Sequence, residues 1–140
     1  MSSLHYISKE SLELALLQHM LWLEDPRLGR PADLSETNLF GSDFRSKMMR
    51  NILLRGANLQ GANLEGADLS GADLTGADLM SANLRNAILE KTNFSSAIIA
   101  AVDFTGADMR GANLSRTRGR MMETEWSGVE NDATALNLSQ

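Results

Sequence analysis

Large apolar residues return at every fifth position between residues 32 and 116: Leu34, Leu39, Phe44, Met49, Leu54, Leu59, Leu64, Leu69, Leu74, Leu79, Leu84, Leu89, Phe94, Ile99, Phe104, Met109 and Leu114. The register holds through seventeen pentads in 85 residues. Two places before each of these centres stands Ala in eleven pentads, and the residue between is Asp or Asn in thirteen. A small and a large apolar residue two apart point the same way only in an extended segment, with the residue between them facing outward. The fifth place, usually Gly, Ser or Asn, permits a tight turn. Extended pieces this short cannot bury an apolar face alone, but stacked coil on coil they can. A helix is ruled out, because a period of five would smear the leucines around its surface. The predicted core is the run of centres from Leu54 to Phe104.

The flanks follow other patterns. From Lys9 to Glu24 the composition favours helix, with Ser8 as a plausible N-cap, Glu10 in the first turn and Pro26 as the stop. Most of this helix is apolar, so it must pack on something. The open end of a solenoid needs a cap, and Leu16, Met20 and Leu23 make the helix the natural lid of the first coil. Gly29, Arg30 and Pro31 form a short linker. The phrase stops after Arg116, beyond which Met121, Met122 and Trp126 are the bulky apolar groups; they either lid the last coil or join two chains. The chain thus divides into a helix and linker over 1–31, the repeat over 32–116 and a terminal cap or dimer contact with a polar tail over 117–140.

One pentad departs from the phrase. Lys47 falls in a small inward slot, where an unpaired ammonium is costly. A bulge or loop near residues 45–51 is expected, with Arg45, Lys47 and Arg50 facing solvent.

The phrase A(D/N)LXX, repeated most strictly from Ala57 to Met80, resembles the motif of the pentapeptide-repeat family. The resemblance implies an all-β solenoid: a right-handed quadrilateral β-helix of four pentads per coil and about four coils. The solenoid, to which the N-terminal α-helix adds a cap, itself stands roughly 20 Å tall at the usual strand spacing. Residues twenty apart then lie above one another, and the outer walls can be read in columns. Arg45, Glu65 and Arg85 form one column, and Arg50, Ser70, Glu90 and Arg110 another, where opposite charges support each other one coil apart. No two aspartates stack, which speaks against a metal site. One wall carries few charges: Phe40, Gln60, Met80, Ile98 and Ala100 line it, and Asp78 is its ionisable group. Exposed apolar patches of this kind often mark contacts with a partner; terminal elements of the same chain folded over the wall are the other reading.

Composition narrows the function. A net charge of −5 with pI near 5.0 is not the basic footprint of a nucleic-acid binder. There are no cysteines, so disulfides and thiolate metal sites are excluded. The apolar run Leu14 to Leu23 is too short to cross a bilayer, and Glu10 and Glu13 before it do not suit a signal peptide. A bacterial cytoplasmic protein is the expectation. The glycines lack the context of a phosphate-binding loop. His5 and His19 lie outside the repeat, and His19 reads as a packed or rim residue rather than a ligand or base. The cluster Arg110, Arg116, Arg118 and Arg120 reads as a solvated end.

These features point away from catalysis and from any cofactor or metal. They favour a scaffold or protein–protein interaction module whose partner is another protein, not nucleic acid or membrane, with a homodimer through one end of the solenoid as an option. The resemblance also implies an alternative, a DNA-mimicking inhibitor or protector of a type II topoisomerase such as DNA gyrase, as in fluoroquinolone-resistance pentapeptide proteins. Against it, the repeat holds ten acids and eight bases, a poor imitation of a phosphate backbone.

Overall fold

The computed structural model describes residues 3–119 together with Thr124, Trp126 and Ser127. Each pentad solves the same local problem in the same way. The amide of the residue that follows each fifth place closes a turn on the preceding centre, as in Ala57 N–H to the Leu54 carbonyl at 3.1 Å and Ala77 to Leu74 at 3.0 Å. The fifth residue of all seventeen pentads has φ between 55° and 72°. A turn of this kind needs a left-handed residue at its third place. Eight of these are glycine; nine are not, among them Glu36, Lys91 and Ala101.

Coils stack through single parallel bridges that join residues twenty apart, from Asp33 with Leu53 to Ile98 with Arg118. Twenty residues, or four pentads, therefore complete one circuit. No extended strand occurs among the described residues; the sheet-like contact is one bridge per pentad, so "all-β" holds only in that sense. The interior is mostly aliphatic, with Phe44, Phe94 and Phe104 fully buried among its centres. Every centre from Leu34 to Leu114 is buried, including all of the run Leu54 to Phe104, and Ile52 and Val102 fit their small slots without exposure. Thr92, also in a small slot, satisfies its hydroxyl on the Leu69 carbonyl at 2.7 Å.

The Lys47 pentad holds no bulge. Lys47 accepts from the Asp68 amide at 3.0 Å, Met48 bridges Asp68, and Met49 is fully buried. The ammonium escapes without a break in register because Lys47 belongs to the first coil. Its slot opens at the end of the tower, beside Glu13, Leu16, Leu17 and Met20. Lys47 is exposed, as are Arg45 and Arg50.

One helix, α1, spans Lys9–Glu24, with the Ser8 hydroxyl accepting from the Ser11 amide at 3.1 Å. It lies across the open first coil. Leu12, Ala15 and Leu16, with Ile7 before them, pack on the core, and His19 completes the same face fully buried. That spacing is one turn and then another of a 3.6-residue helix. Of the residues predicted to face the coil, Leu16 does so and Leu23 is half-buried. Met20 instead turns outward at 42% exposure. The linker returns against the helix so closely that a Cβ on Gly29 would stand 2.1 Å from the Gln18 carbonyl oxygen.

Both ends carry additional pairing. Before α1, His5 makes a parallel bridge with Thr37, supplying one rung ahead of the first coil. At the far end Gly119 lies on Ala100, the Thr124 hydroxyl donates to the Ile99 carbonyl at 2.8 Å, and the Gly106 amide donates to the Ser127 carbonyl at 2.8 Å. Trp126 stacks on Phe104 of its own chain, with centroids 4.8 Å apart and planes 18° apart. Met121 and Met122 lie outside the described residues, as does Arg120.

Candidate interaction surface

The outer walls are built from the second and fourth residues of each pentad. The second residue does more than face outward. In all thirteen pentads with Asp or Asn there, its Oδ1 accepts from the amide two residues on, at 2.9 to 3.2 Å. This Asx turn ties the outward side chain to the corner that follows it. The side chains on a wall are therefore presented by a rigid backbone, and their positions are fixed from below.

Charges on these walls neutralise one another diagonally. Arg50 reaches Asp68 at 2.5 Å, Arg55 reaches Asp73 at 3.0 Å and Arg85 reaches Asp103 at 3.1 Å, each eighteen residues on. Arg45 and Arg110 turn back to Asp43 and Asp108 in their own pentads. The column attraction is present but secondary: Glu65 favours the charged Arg45 from one coil away, while the nearer partners of Arg45 and Arg85 are carboxylates already fixed by their turns. Burial pushes the Asp68 carboxyl up, but hydrogen bonds from Arg50 and Ser70 outweigh it and hold it below its ordinary range. Asp73 and Asp103 show the same balance, with Thr75 and Thr105 as the leading donors. The Arg45 guanidinium lowers Asp43 to about 2.

The wall of Asn38, Asn58, Asp78 and Ile98 is different. Phe40 is 67% exposed and Met80 42%, while Gln60, Ile98 and Ala100 are half-buried. Asp78 accepts from the Gln60 amide group at 2.5 Å, a neutral partner that leaves its charge in place, and exposed Arg118 continues the same column beyond Ile98. Gly119 and Arg118 cover part of Ala100 and Ile98 at the last coil of this wall. The register of His5 on Thr37 runs Tyr6 alongside Asn38, and Tyr6 is 87% exposed. No periodicity in residues 1–8 marks Tyr6 in the sequence; only the rung formed by His5 brings it here. Elsewhere Met48 and Ile88 are also exposed, but they share their wall with Arg50, Asp68, Asp108 and Arg110.

A groove of about 410 Å³ between Arg50, Ser70, Ile88, Glu90 and Lys91 is open, and its Arg50 is engaged with Asp68. No group of three or more His, Asp or Glu side chains among the described residues converges on a metal position. No described helix is long and apolar enough to cross a membrane.

The family model for pentapeptide repeats matches residues 49–86 and 77–116, with eight copies. Among curated proteins nothing matches the sequence. A solved pentapeptide repeat protein from the thylakoid lumen of Arabidopsis thaliana aligns at 31% identity over 71% of this chain, with a TM-score of 0.41, and this chain spans 61% of that one. HetL, a pentapeptide repeat protein involved in heterocyst differentiation regulation in the cyanobacterium Nostoc, aligns at 26% identity over 73% of this chain and 69% of its own, with a TM-score of 0.41. The plasmid-mediated fluoroquinolone resistance protein QnrB1 aligns at 20% identity over 75% of this chain and 67% of its own, with a TM-score of 0.32.

Proposed function

The chain belongs to the pentapeptide-repeat family, and we propose that it acts as a non-catalytic protein-interaction module on a right-handed quadrilateral β-helix of about four coils, capped by α1. The partner is another protein, and it docks on the wall of Tyr6, Phe40, Gln60 and Met80, with Ile98 and Ala100 at its far edge. The observation that carries this reading is the exposure of Phe40 and Met80 on a wall whose one acid is hydrogen-bonded by Gln60. Large apolar side chains on a sparsely charged face held by a rigid backbone bury area at a small ordering cost on docking. The Asx turns supply that rigidity.

The topoisomerase alternative draws no support from the walls. Five of the repeat's ten acids, Asp43, Asp68, Asp73, Asp103 and Asp108, are each held by an arginine, so these carboxylates do not present a free anionic ladder. A gyrase supercoiling assay separates the two readings: no protection or inhibition at micromolar protein is expected, and a clear effect would favour the DNA mimic. For the interaction wall, Met80→Glu with Ile98→Glu should leave the fold intact and abolish partner binding. Unchanged binding by a folded double variant would sink the proposal.

A further inference from the structure

His19 is fully buried, and both ring nitrogens are given to backbone atoms. Nδ1 accepts from the Ala32 amide at 2.9 Å, and Nε2 stands 2.7 Å from the Arg50 carbonyl oxygen. An amide can only donate and a carbonyl can only accept, so the ring is held as the neutral tautomer with its proton on Nε2. The two atoms it serves are the ones the solenoid cannot serve itself. In later coils each small-slot amide closes on the preceding centre, but the corresponding centre before Ala32 is Gly29 of the linker. Each fourth-place carbonyl accepts from the fifth-place amide of the coil before, as Ser70 does from Asn51 at 2.9 Å. For Arg50 that amide belongs to residue 31, which is Pro31 and has no N–H. His19 replaces both missing bonds of the absent corner with one side chain.

We propose that His19 is an acid-released latch that holds α1 on the first coil. A second proton must go to Nδ1, where it meets the Ala32 amide donor head-on. The imidazolium would then be buried without compensation. Charged groups on the elements around it are Glu13 and Glu24 of α1, Arg30 and Asp33 beside Ala32, and Lys47 and Arg50 of the coil. None of them bonds the ring, because backbone atoms occupy both nitrogens. With α1 lifted, the ring takes up the proton freely, so falling pH favours the open form. Opening uncovers the apolar end of the first coil beneath Leu12, Ala15 and Leu16.

Amide hydrogen exchange on the full chain tests this, corrected for the intrinsic effect of pH on exchange. Protection of the Ala32 amide and of α1 should fall by up to about tenfold per pH unit below the imidazole transition, while mid-solenoid amides such as Leu64 and Leu84 keep theirs. Constant protection at Ala32 and α1, or a loss shared with Leu64 and Leu84, overturns the latch. His19→Gln retains an acceptor and a donor but cannot titrate, and its α1 protection should lose the pH step; a step that persists overturns the latch. Should His19→Gln fail to fold, ¹⁵N shifts of the wild-type ring decide instead. A proton on Nε2 alone is expected above the transition, and a ring that protonates while α1 stays protected contradicts the proposal.

Discussion

At the scale of single residues, the repeat asks for backbone conformations that most side chains resist. Ala101 sits at φ 57° in a place where other pentads put glycine. Ala101→Gly should therefore stabilise the fold by about 0.5–1 kcal/mol, since the left-handed strain of an L-residue is of that order. Gly61 has φ 65° and open space around its missing Cβ, so Gly61→Ala isolates the same term with the opposite sign. Urea midpoints of the two variants should move in opposite directions by similar amounts; a shared direction would show that something other than backbone strain controls these corners. The second-place carboxylates bring a pH dependence. Asp68, Asp73, Asp103 and Asp108 titrate below the ordinary value of 3.8 in the folded chain. The folded state therefore binds these protons less readily than the unfolded chain. Their contribution is fully present above the unfolded value and is lost as pH falls through the folded ones. Stability against urea should decline below about pH 4, and high salt should blunt the decline less for buried Asp68 and half-buried Asp73 than for exposed pairs.

At the scale of elements, the contacts of α1 decide how the first coil is closed. Gly29 leaves no room for a side chain against Gln18 and Trp22, so Gly29→Ala should push the linker away and loosen the helix. The expected result is loss of helical circular dichroism with the solenoid's cooperative transition retained. A variant with full helical signal would show that the linker can yield. At the other end Trp126→Ala removes the ring stacked on Phe104 and should cost about 3 kcal/mol, read from the urea midpoint. The sequence makes the solenoid interior legible because a period of five is written into every centre, and it makes α1 legible because composition, cap and Pro26 agree. It hides what depends on pairing between distant segments: the rung from His5 to Thr37, the outward turn of Met20 and the two backbone bonds of His19. The Lys47 pentad misleads for a related reason. A lysine in an inward slot reads as a break only if the slot is closed on both sides, and in the first coil it is not.

At the scale of the whole molecule, the regularity that makes the fold readable removes most clues to its use. The stretch from Ala57 to Met80 could be any part of any such tower. Individuality gathers where the phrase is broken or where the walls differ, and the wall of Phe40 and Met80 differs most in charge. Three walls carry diagonal arginine–aspartate pairs; this one carries an amide-bound Asp78 and exposed apolar side chains. That contrast is visible from the sequence once residues twenty apart are placed in columns. The added presence of Tyr6 is not, because it depends on the rung between His5 and Thr37. The most direct test of the interaction wall is quantitative affinity capture from the native cell with the wild-type chain and a Phe40→Glu/Met80→Glu variant of matched thermal stability. The account predicts a protein retained by the wild type and lost from the variant. The same proteins captured equally by both would contradict it.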